Sequence, residues 1–265
     1  MSIKHEELLK IIEKAAPPEL AESWDNCGMQ LDFGKTEYGR ILVALEINEK
    51  VIDEAVKKKA DFIITHHPLI FGKLSSVDIN DVTGKHVIRL IREGIPVYSA
   101  HTSFDSAPAG NNAYLAKLLG LSDVKGLVED GCELKIALEG KLPREIPFSQ
   151  LPFFLKERLG LEEGELRISG NPDSVVTKAG FCTGSGCEFM KTAAENGCDL
   201  YITGDVKYHD AQNALGMGIV LADAGHFGTE KFFGENFGEQ IKDMIKEKAE
   251  VMISEVNLYP FSVVV

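Results

Sequence analysis

The sequence predicts an α/β protein made of two related half-domains, with mixed, largely parallel sheets and helices outside. Short apolar runs alternate with amphipathic stretches in the first half, the βαβα rhythm of a parallel sheet covered by helices. The rhythm returns after a stretch of different texture, and the two series align with each other.

The first seventeen residues, MSIKHEELLKIIEKAAP, set Glu6, Glu7 and Glu13 among apolar positions. That pattern reads as an amphipathic helix, without the basic start and apolar core of a signal peptide. Residues 41–47 (ILVALEI) form a short apolar run, as expected of a strand buried on both faces. Asn48 is placed to cap a helix running through Lys59. DFIITHHPLIF, a helix over 83–93, IPVYSAHTSFD and a helix over 111–119 continue the series. From 126 to about 180, LKIALEGKLP, a short helix near 149–159, LRISG and VVTKAGF suggest an α+β insertion. A second βα series follows: GCEFMKTAAENG as a helix closed by Gly197, DLYITGDV, DAQNALGMG and IVLADAGH. Gly228 to Ala249 reads as helical, and YPFSVVV as a last strand. The expected domains are 1–125 plus 226–265, and 126–225.

ADFIITHH (60–67) aligns without gaps on CDLYITGD (198–205), and GIPVYSAHTSFD (94–105) on GIVLADAGHFGTE (218–230) with one inserted residue. His101-x-x-x-Asp105 then lies opposite His226-x-x-x-Glu230. The alternative is a chance match of two apolar strands. If the duplication is real, the strand ends of two half-domains meet at one cleft, which is where a metal site is expected.

Charge and composition narrow the function. Lys plus Arg number 28 against 41 Asp plus Glu, a formal net charge of −13, so phosphate backbones gain no global attraction and nucleic acid is not an expected partner. No stretch approaches the ~20 unbroken apolar residues that span a bilayer, so no membrane is expected and the cytoplasm is the default. The cysteines, Cys27, Cys132, Cys182, Cys187 and Cys198, are odd in number and form no C-x-x-C pair. They read as small buried hydrophobes rather than as a disulfide framework or a thiolate zinc site.

His66 and His67 sit where an apolar strand ends, the place where ligands collect on open α/β sheets. Adjacent side chains on a strand diverge, so two neighbouring ions suit the pair better than one. Two structural histidines are the alternative. Asp105 follows a second strand and is either a ligand or a turn residue before the helix at 111. His226 and Glu230, four apart, share a face if the segment is helical; a capping or surface pair is the other reading. Three imidazoles and two carboxylates suit zinc, iron or manganese. A carboxylate bridging two ions ~3.5–4 Å apart is the arrangement used for two-metal hydrolysis.

His101, just before Asp105, is either a proton shuttle beside the metals or a packed imidazole. Trp24, Asp25 and Asn26 form a polar loop that either lines a cleft or caps a turn. The glycine-rich 180–186 segment (GFCTGSG) is either a cradle for a phosphate or carboxylate or a tight structural turn. Lys207 and His209 read as surface residues, and His5 and His86 as solvated helix positions.

The stretches SWDNCGMQ, ITHHPLIF, SAHTSFDSAPAGNN, TGDVKYHDA and DAGHFGTE together resemble the Nif-three-like family, known in bacteria as type 2 GTP cyclohydrolase 1 homologues. The resemblance spans nearly the whole chain, in the short form without the extra middle domain of some relatives. It implies two divalent ions per subunit held by His66, His67, Asp105, His226 and Glu230, and a toroidal homohexamer. It also implies a metal-dependent hydrolase acting on a nucleotide or related small molecule, with attack at C8 of a guanine nucleotide and release of formate. A non-catalytic metal-delivery or interaction scaffold is the rival reading, and the family name itself points to an interaction partner.

Overall fold

A computed structural model describes residues 1–262 of the chain. The chain opens with strand β1 (Ile3–Lys4) and helix α1 (His5–Ala15), whose Leu8, Ile12 and Ala15 are buried at helical spacing. Strands β2 (Gly28–Leu31), β3 (Glu37–Tyr38) and β4 (Arg40–Ala44) follow. Helix α2 (Glu49–Lys57) begins where the Asn48 side chain accepts the Val51 N–H at 2.9 Å. Next come β5 (Phe62–Thr65), α3 (Val82–Glu93), β6 (Val97–Ser99) and the single turn α4 (Thr102–Asp105). Asp81 caps α3 through the Gly84 N–H, and Gly94, at φ +64°, ends it in the left-handed conformation that glycine adopts at least cost.

The middle of the chain supplies α5 (Asn111–Leu119), the long hairpin β7 (Ser122–Glu129) and β8 (Cys132–Pro147), α6 (Leu151–Leu159), β9 (Arg167–Ser169) and β10 (Val175–Ser185). Then follow α7 (Met190–Glu195), β11 (Leu200–Gly204), α8 (Tyr208–Met217), β12 (Val220–Asp223) and α9 (His226–Glu230). Helix α10 (Phe233–Ile245) and strand β13 (Glu250–Ile253) complete the elements.

Two compact units result among the described residues: Met1–Gly110 with Phe232–Leu258, and Asn111–Lys231 with 259–262. The boundaries thus lie at 110 and 231, where the sequence suggested 125 and 225. Helix α5 belongs to the second unit because Asn112 donates to the Ile136 carbonyl and accepts the Thr183 N–H. Helix α9 belongs there because it packs on β10 and β11.

The first unit carries a five-stranded sheet, β13-β4-β5-β6-β2, parallel except for β2. Its core gathers Leu42, Val51, Ile52, Ile63, Val87, Leu90 and Val97 from the sheet, α2 and α3. The second unit carries a six-stranded mixed sheet, β7-β8-β10-β11-β12-β9, in which only β10, β11 and β12 run parallel. Both sheets are the mixed, partly parallel α/β type expected.

The two units repeat each other in detail. Ile63, Ile64 and Thr65 pair with Val97, Tyr98 and Ser99, and the aligned Tyr201, Ile202 and Thr203 pair with Leu221, Ala222 and Asp223. The Ala100 N–H donates to the Thr65 carbonyl at 2.8 Å, as the Ala224 N–H does to Thr203. The aspartate shared by both series has one task in each. Asp61 accepts the N–H groups of Gly39 and Arg40, and Asp199 those of Thr177 and Lys178, fixing the register of the preceding strand. Each series ends with an antiparallel edge strand, β2 on β6 and β9 on β12.

Three local expectations need correction. The segment 228–249 is not one helix: α9 and α10 separate at Lys231–Phe232, because α9 buries Thr229 and Glu230 in the second unit while Phe233, Phe237 and Ile241 enter the core of the first. The strand near the C-terminus is β13, while Tyr259 to Ser262 form none, and 263–265 of the predicted YPFSVVV strand lie outside the described residues. His86 is buried rather than solvated, since α3 turns it with Val87 and Leu90 towards the core.

Candidate metal centre

In the first unit, β5 delivers His66 and His67 at its carboxyl end, and Thr65 donates its hydroxyl to the His67 carbonyl at 2.9 Å. His66 is fully buried, with Nδ1 2.9 Å from the Ala100 carbonyl oxygen. A carbonyl only accepts, so Nδ1 carries the proton and Nε2 keeps its lone pair. That Nε2 faces Asp105 Oδ1 at 3.5 Å. His67 turns Nδ1 to Glu46 Oε2 at 3.4 Å. His101 turns Nδ1 to Asp25 Oδ1 at 2.9 Å. One ring nitrogen from each of His66, His67 and His101 lies within 4.8 Å of the others, close enough to share an ion.

The second unit presents a matching group. His226 begins α9, with Nδ1 2.8 Å from Asp205 Oδ2 and Nε2 3.1 Å from Glu230 Oε2. The four-residue spacing puts imidazole and carboxylate on one face. Glu230 is only 2% exposed, and the backbone of Gly184 lies against it: a Cβ there would stand 2.2 Å from Glu230 Oε1. Asp205 holds φ +55°, a strained conformation for a residue with a side chain, which sets its carboxylate against the imidazole.

One rule covers all four histidines. Each Nδ1 is held by a carbonyl or carboxylate oxygen, which fixes the tautomer and presents Nε2 as a donor. For His66 and His226 that lone pair faces a carboxylate oxygen. An imidazole nitrogen and a carboxylate oxygen set face to face both offer lone pairs, a pairing that a cation or an extra proton between them stabilises. Imidazole nitrogen and carboxylate oxygen are the donor set of borderline divalent ions, so these residues fit such a group.

Burial would push the Asp25 carboxyl up, but hydrogen bonds from His101, Thr102 and Cys27 outweigh it and hold it well below the usual carboxylate range. The Thr102 N–H at 3.1 Å and its hydroxyl at 2.5 Å both donate to Oδ2. Asp25 is therefore an ionised anchor for His101.

Other sequence candidates separate from the centre. The 180–186 segment is not an open anion cradle. It continues β10 through Ser185, and the N–H groups of Thr183, Gly184 and Gly186 are spent on Asn112, Thr229 and Thr203. Lys207 and His209 are exposed at the start of α8. Cys182 and Cys198 are buried, Cys27 and Cys187 partly so, and Cys132 is exposed, against the expectation of five buried cysteines. Burial, then the carboxylates around them, pushes the Cys187 thiol up to about 12, which disfavours the thiolate a zinc site needs.

Three carboxylates were not read as partners of the histidines. The alignment could have pointed to Asp205, which falls opposite His67, and the Trp-Asp-Asn loop to Asp25. Glu46, next to a strand end, carried no signal.

The sequence profile of Duf34/NIF3 (NGG1p interacting factor 3) matches residues 3–260. The chain belongs to the Duf34/NIF3 family. Within it, the chain is 34% identical over 263 residues to the GTP cyclohydrolase 1 type 2 homolog of Clostridium perfringens, covering 98% of this chain and 99% of that one. It is 36% identical over 227 residues to the GTP cyclohydrolase 1 type 2 of Helicobacter pylori strain J99, covering 86% and 87%. Among solved structures, the Bacillus cereus protein related to NIF3 superposes with a TM-score of 0.91 at 22% identity, covering 99% of each chain, which shows the shared Duf34/NIF3 fold.

Proposed function

We propose that this Duf34/NIF3 protein is a dinuclear metal-dependent hydrolase of a nucleotide or related small molecule. The proposed ligands of its two divalent ions are His66, His67 and Asp105 of the first unit, with His226 and Glu230 of the second. Zinc, iron and manganese all suit the donor set. The observation that carries the reading is the orientation of the histidines: every Nδ1 is pinned by an oxygen, and two of the Nε2 atoms face carboxylates.

Ions bound there supply Lewis-acid charge and lower the pKa of water towards neutrality. The chain's own residues supply the rest. His101, in the Nδ1–H tautomer set by Asp25, takes a proton at Nε2, and the ionised Asp25 carboxylate stabilises the imidazolium that results. Thr102 holds the other Asp25 oxygen, so the pair keeps its orientation while the proton moves. Burial of His66, Asp105 and Glu230 limits competing water. The names of the relatives favour GTP as the substrate; opening of its imidazole ring with release of formate is the reaction that the family resemblance implies.

Incubating metal-loaded protein with GTP and measuring formate tests this. Formate that disappears in His67→Ala supports the reading; no formate, or the same amount from the variant, rejects it. The family description as an interacting factor favours a second reading, a metal-binding scaffold without turnover. That reading predicts retained metal with no product from any nucleotide. The homohexamer and a cytoplasmic location belong to the first proposal; a solution mass of six chains checks the assembly. Among the described residues no helix is long and apolar enough to cross a membrane.

A further inference from the structure

Trp24 and Phe71 are large aromatic residues left 60% and 62% exposed, and they stand side by side with ring centroids 6.0 Å apart and planes inclined at 49°. His101 completes a triangle with them, at 6.2 Å from the indole and 6.1 Å from the phenyl ring, edge-on to both. The two loops that carry these aromatics are tied together by polar side chains. Asn26 donates to the Ile70 carbonyl at 2.6 Å, the Ile70 N–H donates to Gln30 Oε1 at 3.1 Å, and Gln30 donates to the Asn26 carbonyl at 2.7 Å. Asp25, next to Trp24, is fixed in turn by His101 and Thr102. An exposed indole on a loose loop would be an ordinary surface residue. Here several hydrogen bonds hold two apolar rings in the solvent, beside a histidine that belongs to the imidazole cluster.

We propose that Trp24 and Phe71 form a stacking platform for a planar heterocycle of purine size. One of the two exposed rings is an indole, whose fused rings overlap best with another fused ring, and Phe71 offers an inclined second wall. Stacking of this kind tolerates the identity of the base, because every base presents a π-face. Two exposed rings are far smaller than the ~800 Å² per partner that a stable protein interface buries, which favours a small molecule as the occupant. A ring seated there lies beside His101, which shares the imidazole cluster with the proposed metal ligands His66 and His67. The platform thus deepens the hydrolase reading by naming the part of the substrate that is gripped, and it rests on that reading for its purpose.

Trp24 is the chain's only tryptophan, so its fluorescence reports on this site alone. The test titrates guanosine and adenosine, with ribose as the ring-free control, into chelator-treated and metal-loaded protein, while metal content is measured separately. Expected are saturable quenching by both nucleosides, none by ribose, and at least about fivefold weaker binding in Phe71→Leu by fluorescence and in Trp24→Leu by calorimetry. Quenching absent with both nucleosides, equal with ribose, or unchanged in Phe71→Leu overturns the platform. So does quenching that follows protein concentration alone, which would mark a second chain as the occupant. Metal retained without nucleoside quenching defeats the platform and spares the metal centre; nucleoside quenching without metal does the reverse.

Discussion

At the scale of the residue, the chemistry depends on which nitrogen of each imidazole holds its proton. Asp205 fixes that choice for His226, and outer partners of this kind typically account for 10–100-fold in metal affinity. Asp205→Ala is expected to weaken metal binding by roughly that factor in a competition titration, while the protein stays folded. Equal affinity in the variant would show that Asp205 plays no such part. Gly184 poses a steric test: Ala there must displace Glu230 and strain a backbone at φ +66°, at a cost of about 1–2 kcal/mol before any loss of metal. Lower thermal stability with reduced metal content is the expected result, and an unperturbed variant contradicts the packing. The sequence made His66, His67, Asp105, His226 and Glu230 candidates because histidines at strand ends beside spaced carboxylates are chemically unusual. Asp25, Glu46 and Asp205 were harder to assign, because a lone loop carboxylate most often caps a turn, and only its partner distinguishes the two roles.

At the scale of the element, the repeated strand-helix series carries the fold. The apolar runs at 61–65 and 199–203 announced buried parallel strands, and the shared Asp61 and Asp199 proved to be register clamps. Helix α2 follows its cap as expected, and Asn48→Ala should cost about 1 kcal/mol in urea unfolding. Helix α3 supplies a pH test. Burial, with Lys85 and Arg89 adding to it and Glu49 opposing, pulls the His86 pKa below its ordinary 6.5. A lowered folded-state pKa means that its stabilising contribution is complete above 6.5 and is lost as pH falls through the lower folded value. The urea midpoint should therefore drop between about pH 7.5 and about pH 5 by more in the wild type than in His86→Gln. Identical pH dependence would mean His86 titrates as if solvated. The misread elements lie where periodicity is silent. A helical pattern carries on through Lys231 although α9 and α10 serve different cores, and the short edge strand β13 pairs on one side only, with β4.

At the scale of the whole molecule, a formal charge of −13 and an α/β fold built from two repeating units locate this chain within the Duf34/NIF3 family over nearly its full length. The acidic balance matters for the metal centre, because a net negative protein draws divalent cations towards it, and this attraction weakens with salt. The measurement that decides most directly is metal content after dialysis against a limiting divalent ion, for wild type beside His66→Ala and His226→Ala. The wild type should retain two ions per chain, and each variant should lose metal while keeping its secondary structure. A wild-type protein that emerges without metal, or variants that retain as much as the wild type, would contradict the account.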